Sequence, residues 1–440
     1  MKDHLTGRQN AIKEVDDAEL NSYLDALAQA FGLDWLTAGG AAPLQQLWAR
    51  RDFLATNQLL LLGDAVQHLG SINPAWAKQQ VKLVKGNDAN NSRGAIFEFV
   101  GLNLFRQCGL GVVPATGSNP GYDGTVRYAD GELRLSLKSY GASNPERTVE
   151  AKALKIRDLF AALLQKQDRS GFDLRIACKR YPTDDDWAAL ESALPSLIAN
   201  LPADHAGVQV GEWSVFGRQL HLTGDEKLAP SRRSYMFVLW CPHHKNEHLN
   251  LESKLDEAAA NFTRHAGDAA PSTRRGVLVR LHENASVAMC ETWAKNYLAA
   301  RQSSPLDAIF LYQPAVGQNI QEDTSTVVHS LVPVMNAAFV RWLAAGHPLS
   351  VRFLVGLTRS TAMPRELRND EGHVLQLDDA YLIQRGEIYR LFEVKNGVGE
   401  AHLKNPASGI MYHAIMRQDD GAEIEFQGIY PPTHDVVLFS

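Results

Sequence analysis

The chain has 440 residues, 45% of them hydrophobic and 21% charged, with a formal net charge of −6. A chain of this length buries a large core and predicts an ordinary globular protein of two or three domains. Its net charge excludes a protein that coats nucleic acid indiscriminately, while leaving room for a local basic cleft. Cys108, Cys178, Cys241 and Cys290 are widely spaced with no CxxC pair, which predicts reduced thiols. The segment MKDHLTGRQN lacks the apolar core of a signal peptide, and the apolar run Leu59–Leu62 is too short to span a bilayer. The expected location is the cytoplasm, with no membrane partner.

Residues 1–88 read as a helical domain, with Leu20, Tyr23, Leu24, Leu27 and Phe31 at helical spacing. Gly39-Gly40 breaks the pattern before Pro43–Leu62 resumes it. The cluster Trp48-Ala49-Arg50-Arg51 suits an amphipathic helix edge with its arginines in solvent better than a phosphate contact. Gly86–Arg93 is a polar break ending in a helix cap. The apolar helix Gly94–Cys108 follows, with Glu98 among Ile96, Phe97, Phe99 and Val100. Such a carboxylate either faces solvent or is buried for a purpose, because burying an unpaired charge is expensive.

The segment Asn119–Lys138 predicts a hairpin. Asp123 stands early on one strand, Ala129-Asp130-Gly131 forms the turn, and Ser136-Leu137-Lys138 ends the second strand. Asp123 and Lys138 then reach one edge of a sheet. Ser143 or Asn144, with Pro145, starts a helix that runs to about Gln165 and carries Glu150 near its beginning. Strands at Phe172–Cys178, Tyr235–Trp240, Gly276–Leu281 and Asp307–Tyr312 alternate with helices at Trp187–Leu201, Leu249–Phe262 and Val287–Ala300. This alternation predicts an α/β core over residues 89–318, a central mixed sheet flanked by helices. The span 202–233 reads as an insertion. Residues 319–440 read as an α+β region: a helix over Val327–Ala344, then strands at Val351–Leu357, Val374–Ile383, Ile388–Val394, Ile424–Gln427 and Val436–Phe439.

Asp123, Lys138 and Glu150 suit phosphodiester hydrolysis. That reaction uses a hard cation to polarise the phosphoryl group and acidify a water. Magnesium takes only one or two protein carboxylates and keeps several waters. Asp123 and Glu150 would bind it, and Lys138 would neutralise developing charge or orient the water. In order and residue type, Glu98, Asp123 and Ser136-x-Lys138 resemble the PD-(D/E)XK nuclease superfamily, the restriction-endonuclease-like fold, over roughly residues 90–315. Ser136 departs from the pattern, since the family usually has a carboxylate there. The sequence is more similar to a subset of type II restriction endonucleases with Ser-x-Lys, in which a Glu on the following helix replaces the missing ligand. Glu150 stands near that offset, with Glu146 as an alternative and Glu98 and Ser136 in support. A second reading of Ser136 is lost catalysis on a nuclease-like fold that only binds nucleic acid.

The resemblance implies a magnesium-dependent endonuclease acting on duplex DNA, a homodimer, and a role in restriction or defence. An RNA-directed nuclease is the other enzymatic alternative. Lys152, Lys155, Arg157, Lys179 and Arg180 are candidate backbone contacts, which position nucleic acid without reading its sequence. A competing site lies near the C-terminus, where Asp379 precedes Glu393-x-Lys395. Cys241, His243, His244 and His248 lack the second ligand pair of a structural zinc site. No Walker A sequence is present, so no nucleotide cofactor is expected.

Overall fold

The structure is a computed structural model. It describes residues 4–8, 16–107, 109–116, 120–167, 172–200, 206–219, 235–265, 272–319, 324–347 and 349, with the backbone of short strands beyond 356. Side-chain caps set the starts of several early helices. Asp16 caps α1 (Asp17–Phe31), which is followed by α2 (Leu33–Thr37) and α3 (Pro43–Ala49). Asp52 caps α4 (Phe53–Ile72), and Asn73 caps α5 (Pro74–Val84) with Pro74 in its first turn. Asp88 accepts from the N–H groups of Asn90 and Asn91, so α6 (Ala89–Arg106) begins earlier than the apolar run predicts.

The strands β1 (Gly111–Pro114), β2 (Gly124–Arg127) and β3 (Glu132–Tyr140) form an antiparallel meander. The β2–β3 turn falls where Asp130-Gly131 places it, closed by Tyr128 N–H donating to Gly131 O. The next elements are α7 (Asn144–Lys166), β4 (Phe172–Cys178), α8 (Asp184–Asn200), β5 (Ala206–Val210), β6 (Trp213–Gln219) and β7 (Tyr235–Pro242). After them come α9 (His248–His265), β8 (Thr273–Leu281), α10 (Val287–Ala300), β9 (Ala308–Asn319), β10 (Thr324–Met335) and α11 (Ala337–Ala344). The last strands are β11 (Leu357–Thr358), β12 (Pro364–Arg368), β13 (Ala380–Arg385), β14 (Ile388–Glu393), β15 (Ile410–Arg417), β16 (Glu423–Tyr430) and β17 (Val436–Phe439). No helix among the described residues is long and apolar enough to cross a membrane.

The chain forms two compact units. The first comprises residues 1–141, 248–360 and 381–389, and the second comprises 142–247, 361–380 and 390–440. In the first, six strands run in the order β1-β2-β3-β8-β9-β10, and β11 and β13 add to its far side. The three central strands β3, β8 and β9 are parallel and the outer pairings antiparallel, so the sheet is mixed. Period-two alternation splits its side chains between two cores. Leu133, Leu135, Leu137 and Leu278 pack with α6 in one cluster, whereas Tyr140, Val277 and Val279 pack with α9 and α10 in the other.

Two glycines let α6 lie close on the sheet. A Cβ at Gly101 would collide with Leu137 and Leu278, and one at Gly124 would collide with Leu102. A buried polar joint fixes the same helix from behind. Asp64 of α4 is 2% exposed and accepts from Asn103, Arg106 and Gln107. A buried charge so fully partnered resists any sliding of α6 along α4, because a slip would leave it unpaired.

In the second unit, β4 and β7 pair in parallel within the order β17-β7-β4-β6-β5. Val149, Ile156 and Phe160 of α7 share a core with Leu190 and Leu194 of α8 and with Trp213 and Phe237 of the sheet. A separate three-stranded sheet, β12-β15-β16, belongs to the same unit.

This division differs from the three consecutive regions that the sequence predicts. Residue 88 is not a boundary between units, because Leu24 and Leu60 share one buried cluster with Leu102, Leu133 and Phe310. Residue 318 is not one either, since β9 and β10 pair continuously on both sides of it. The helix expected over Val327–Ala344 is instead a strand to Met335 and a short helix that starts at the Asn336 cap. The valine-rich stretch favours the extended conformation and gains a full register against β9. Part of the expected insertion forms the hairpin β5–β6.

Candidate active site

Asp123 sits just before β2, after Gly121 at φ +79°, in a turn that the backbone closes on both sides. Ala115 N–H donates to Asp123 O at 3.0 Å, and Asp123 N–H donates to Leu135 O at 2.8 Å. The carboxylate reaches across to β3. Its Oδ2 accepts from the Leu137 N–H at 2.6 Å and from the Ser136 hydroxyl at 3.4 Å. Ser136 is 2% exposed, so it serves as a buried donor to Asp123 in the place where a carboxylate would stand.

Lys138 lies two residues further on the same face of β3. Its Nζ donates to Glu257 Oε1 of α9 at 2.8 Å, with Lys254 3.9 Å from the other oxygen of Glu257. From the opposite face, α6 brings Glu98, whose Oε2 accepts from Gln80 Nε2 of α5 at 2.7 Å. Four elements that are distant in sequence therefore converge on the start of one hairpin strand and the end of the other.

The charges here are interdependent. Burial, then the charge of Asp123, pushes Glu98 up to about 8, against the opposing pull of Lys138 and the Gln80 amide. Burial also raises Asp123, against the Leu137 N–H, Lys138 and Ser136, and Glu257 adds to the rise. Glu257 is held below the ordinary carboxylate range. Its burial acts upward but is outweighed by the hydrogen bond and charge of Lys138, with a contribution from Lys254. Two neighbouring carboxylates thus favour their protonated forms, a condition that a cation between them would reverse.

No three His, Cys, Asp or Glu side chains among the described residues are grouped closely enough to hold a metal ion by themselves. Magnesium needs only one or two carboxylates, its remaining positions being filled by water. Asp123 and Glu98 are hard oxygen donors of that kind. Gln80, 5% exposed, keeps an Oε1 that no group pairs with among the described residues. An orphaned acceptor on the amide that holds Glu98 fits a hydrated cation at that carboxylate.

The first unit thus brings together Glu98, Asp123, Ser136 and Lys138. Glu150 and Glu146 lie on α7, in the second unit. The expected nucleic-acid contacts also belong to the second unit. Lys152 pairs with Asp184, Lys155 with Glu191, Arg157 with Asp158 and Arg180 with Asp186, while Lys179 N–H donates to Glu212 O. The Lys152 and Lys155 pairs are exposed, weak and readily exchanged for a phosphate partner, whereas Arg180 is held by the buried Asp186. Asp379 and Lys395 of the competing motif lie outside the described residues, and Glu393 ends β14, described by its backbone alone.

Sequence reasoning missed Glu257 and Gln80. The stripe Leu251, Leu255, Ala258 and Phe262 predicts which side of α9 is buried, but not which strand it covers. Comparison with family models, with curated proteins and with solved structures finds no match to this chain.

Proposed function

We propose that this protein is a magnesium-dependent endonuclease that hydrolyses phosphodiester bonds, with duplex DNA as the substrate. The observation that carries the reading is that Asp123 is bonded to Ser136 and Leu137 of the strand that bears Lys138, while α6, which bears Glu98, packs on the same strand. The order of parts supports the resemblance to restriction-endonuclease-like enzymes. A helix bearing Glu98 is followed by Asp123 before one strand and Lys138 on the next, and then, across residues 142–247, by a helix packed on that strand. DNA as substrate, a homodimer and a role in defence rest on that resemblance.

Asp123 and Glu98 would hold the cation, which when bound would supply charge to polarise the phosphoryl group and acidify a water. The Ser136 hydroxyl and the Leu137 N–H fix Asp123 by holding one of its oxygens. Lys138 offers its ammonium to a non-bridging phosphate oxygen or to the attacking water, where fixed positive charge is worth most in the transition state. Glu257 positions Lys138. Its own side chain is 52% exposed, so the pair stands at the solvent side of the site, where a polymer can approach.

Plasmid cleavage with magnesium tests the reading. Asp123→Ala, Glu98→Gln and Lys138→Ala should each abolish cutting, and Lys395→Ala should not. Full activity in the first three with loss in the last would transfer the chemistry to the C-terminal motif. Binding of DNA by the wild type with no cutting under any divalent cation would leave a non-catalytic binding protein.

A further inference from the structure

Gln80 carries an amide into a buried position beside Glu98. It lies on α5, faces inward at 5% exposure, and belongs to the helical segment that precedes the hairpin unit in sequence. Trp76 of the same helix packs edge-on against Phe99, with ring centroids 4.8 Å apart, and the Ser92 hydroxyl donates to Val84 O. These contacts hold α5 against α6 independently of the Gln80 amide. The amide instead spends its Nε2 on Glu98 and leaves its Oε1 buried without a partner among the described residues. Buried acceptors are mostly paired. Among the described residues Asn57, Gln107 and Gln313 also keep a buried amide oxygen without a partner. Gln80 is set apart from them because its own nitrogen holds Glu98 of the candidate site.

We propose that Gln80 belongs to the cation site, its Nε2 holding Glu98 while its Oε1 accepts a hydrogen bond from a water of a bound divalent cation. The inference rests on the reading of Asp123 and Glu98 as the cation's carboxylates. The chemistry is that of a hard cation. Magnesium or manganese held by two carboxylates keeps several waters, each polarised into a strong donor that needs an oxygen acceptor. The two heteroatoms of one amide lie about 2 Å apart, so with Nε2 on Glu98 the oxygen would be within reach of a water on a cation that Glu98 ligates. Gln80 is thus a positioning residue with two tasks. It orients a ligand and anchors a ligand water.

Manganese binding, followed by calorimetry and by the electron paramagnetic resonance of the free ion at one fixed pH, tests this without reference to cleavage. Wild type should bind and Asp123→Ala should not. Gln80→Leu should weaken binding ~10–100-fold, the usual cost of losing a group that orients metal ligands. In a Glu98→Gln background, Gln80→Leu should weaken binding further. Loss of its effect in that background would show that Gln80 acts only by holding Glu98 and would overturn the water contact. Wild-type affinity in Gln80→Leu would overturn the proposal while leaving the carboxylate site standing. Failure of the wild type to bind manganese would overturn both.

Discussion

Lys138 Nζ donates to Glu257 Oε1 at 2.8 Å, a contact between residues 119 positions apart in sequence. The Lys138 side chain is only 15% exposed, and Glu257 holds its ammonium where the stem emerges into solvent. A helix that returns to the sheet after residues 142–247 therefore decides where the lysine points.

The first prediction separates Glu257 from Glu150. Glu257→Ala leaves Lys138 without the acceptor that aims it, and cleavage should slow ~10–100-fold, as for other residues that orient a site from just outside it. Glu150→Ala should leave the rate unchanged. Plasmid cleavage rates for the two variants check this. Loss in Glu150→Ala with full activity in Glu257→Ala would restore α7 as the source of the carboxylate.

Glu98 makes stability depend on pH. Its folded value, about 8, lies above the ordinary value of 4.5 because of burial first and Asp123 second. Between those limits the folded chain keeps a proton that the unfolded chain releases, so the contribution is present below 4.5 and lost as pH rises through about 8. The shift of Asp123 acts in the same direction. Glu98→Gln stays neutral throughout. Thermal melts in metal-free buffer should show its Tm rising relative to wild type as pH increases across this window. A constant difference would mean that Glu98 is charged in the folded state at all these pH values.

Gly101 controls the distance between α6 and the sheet. A methyl group there collides with Leu137 and Leu278, so Gly101→Ala should destabilise the fold by about 1–3 kcal/mol, the usual cost of overpacking a core. Because α6 also carries Glu98, cleavage should fall more steeply than stability. Denaturant unfolding beside cleavage at a temperature where the variant is fully folded would reveal this. Equal activity would place Glu98 outside the reaction.

The hairpin was legible because its signals are local. Asp130-Gly131 demands a turn, and Leu133, Leu135 and Leu137 alternate with polar residues at the period of a strand. The α7 cap at Ser143 and Pro145 was legible for the same reason. The region 327–335 was misread because an apolar run offers no clear period, and its pairing with β9 supplied the hydrogen bonds that a helix would have made internally.

By itself the sequence determined Asp123, Lys138, the strands that carry them and the apolar helix around Glu98, since each depends on residues within a few positions. Only tertiary structure decided that Glu98 turns inward, that Gln80 meets it, and that α9 is the helix beside Lys138. A helix's apolar stripe records that it is buried, and not what buries it. The helix that meets Lys138 on β3 is α9, which follows residues 142–247 in the chain. That Glu257 meets Lys138 turns on long-range packing, which no spacing of letters encodes.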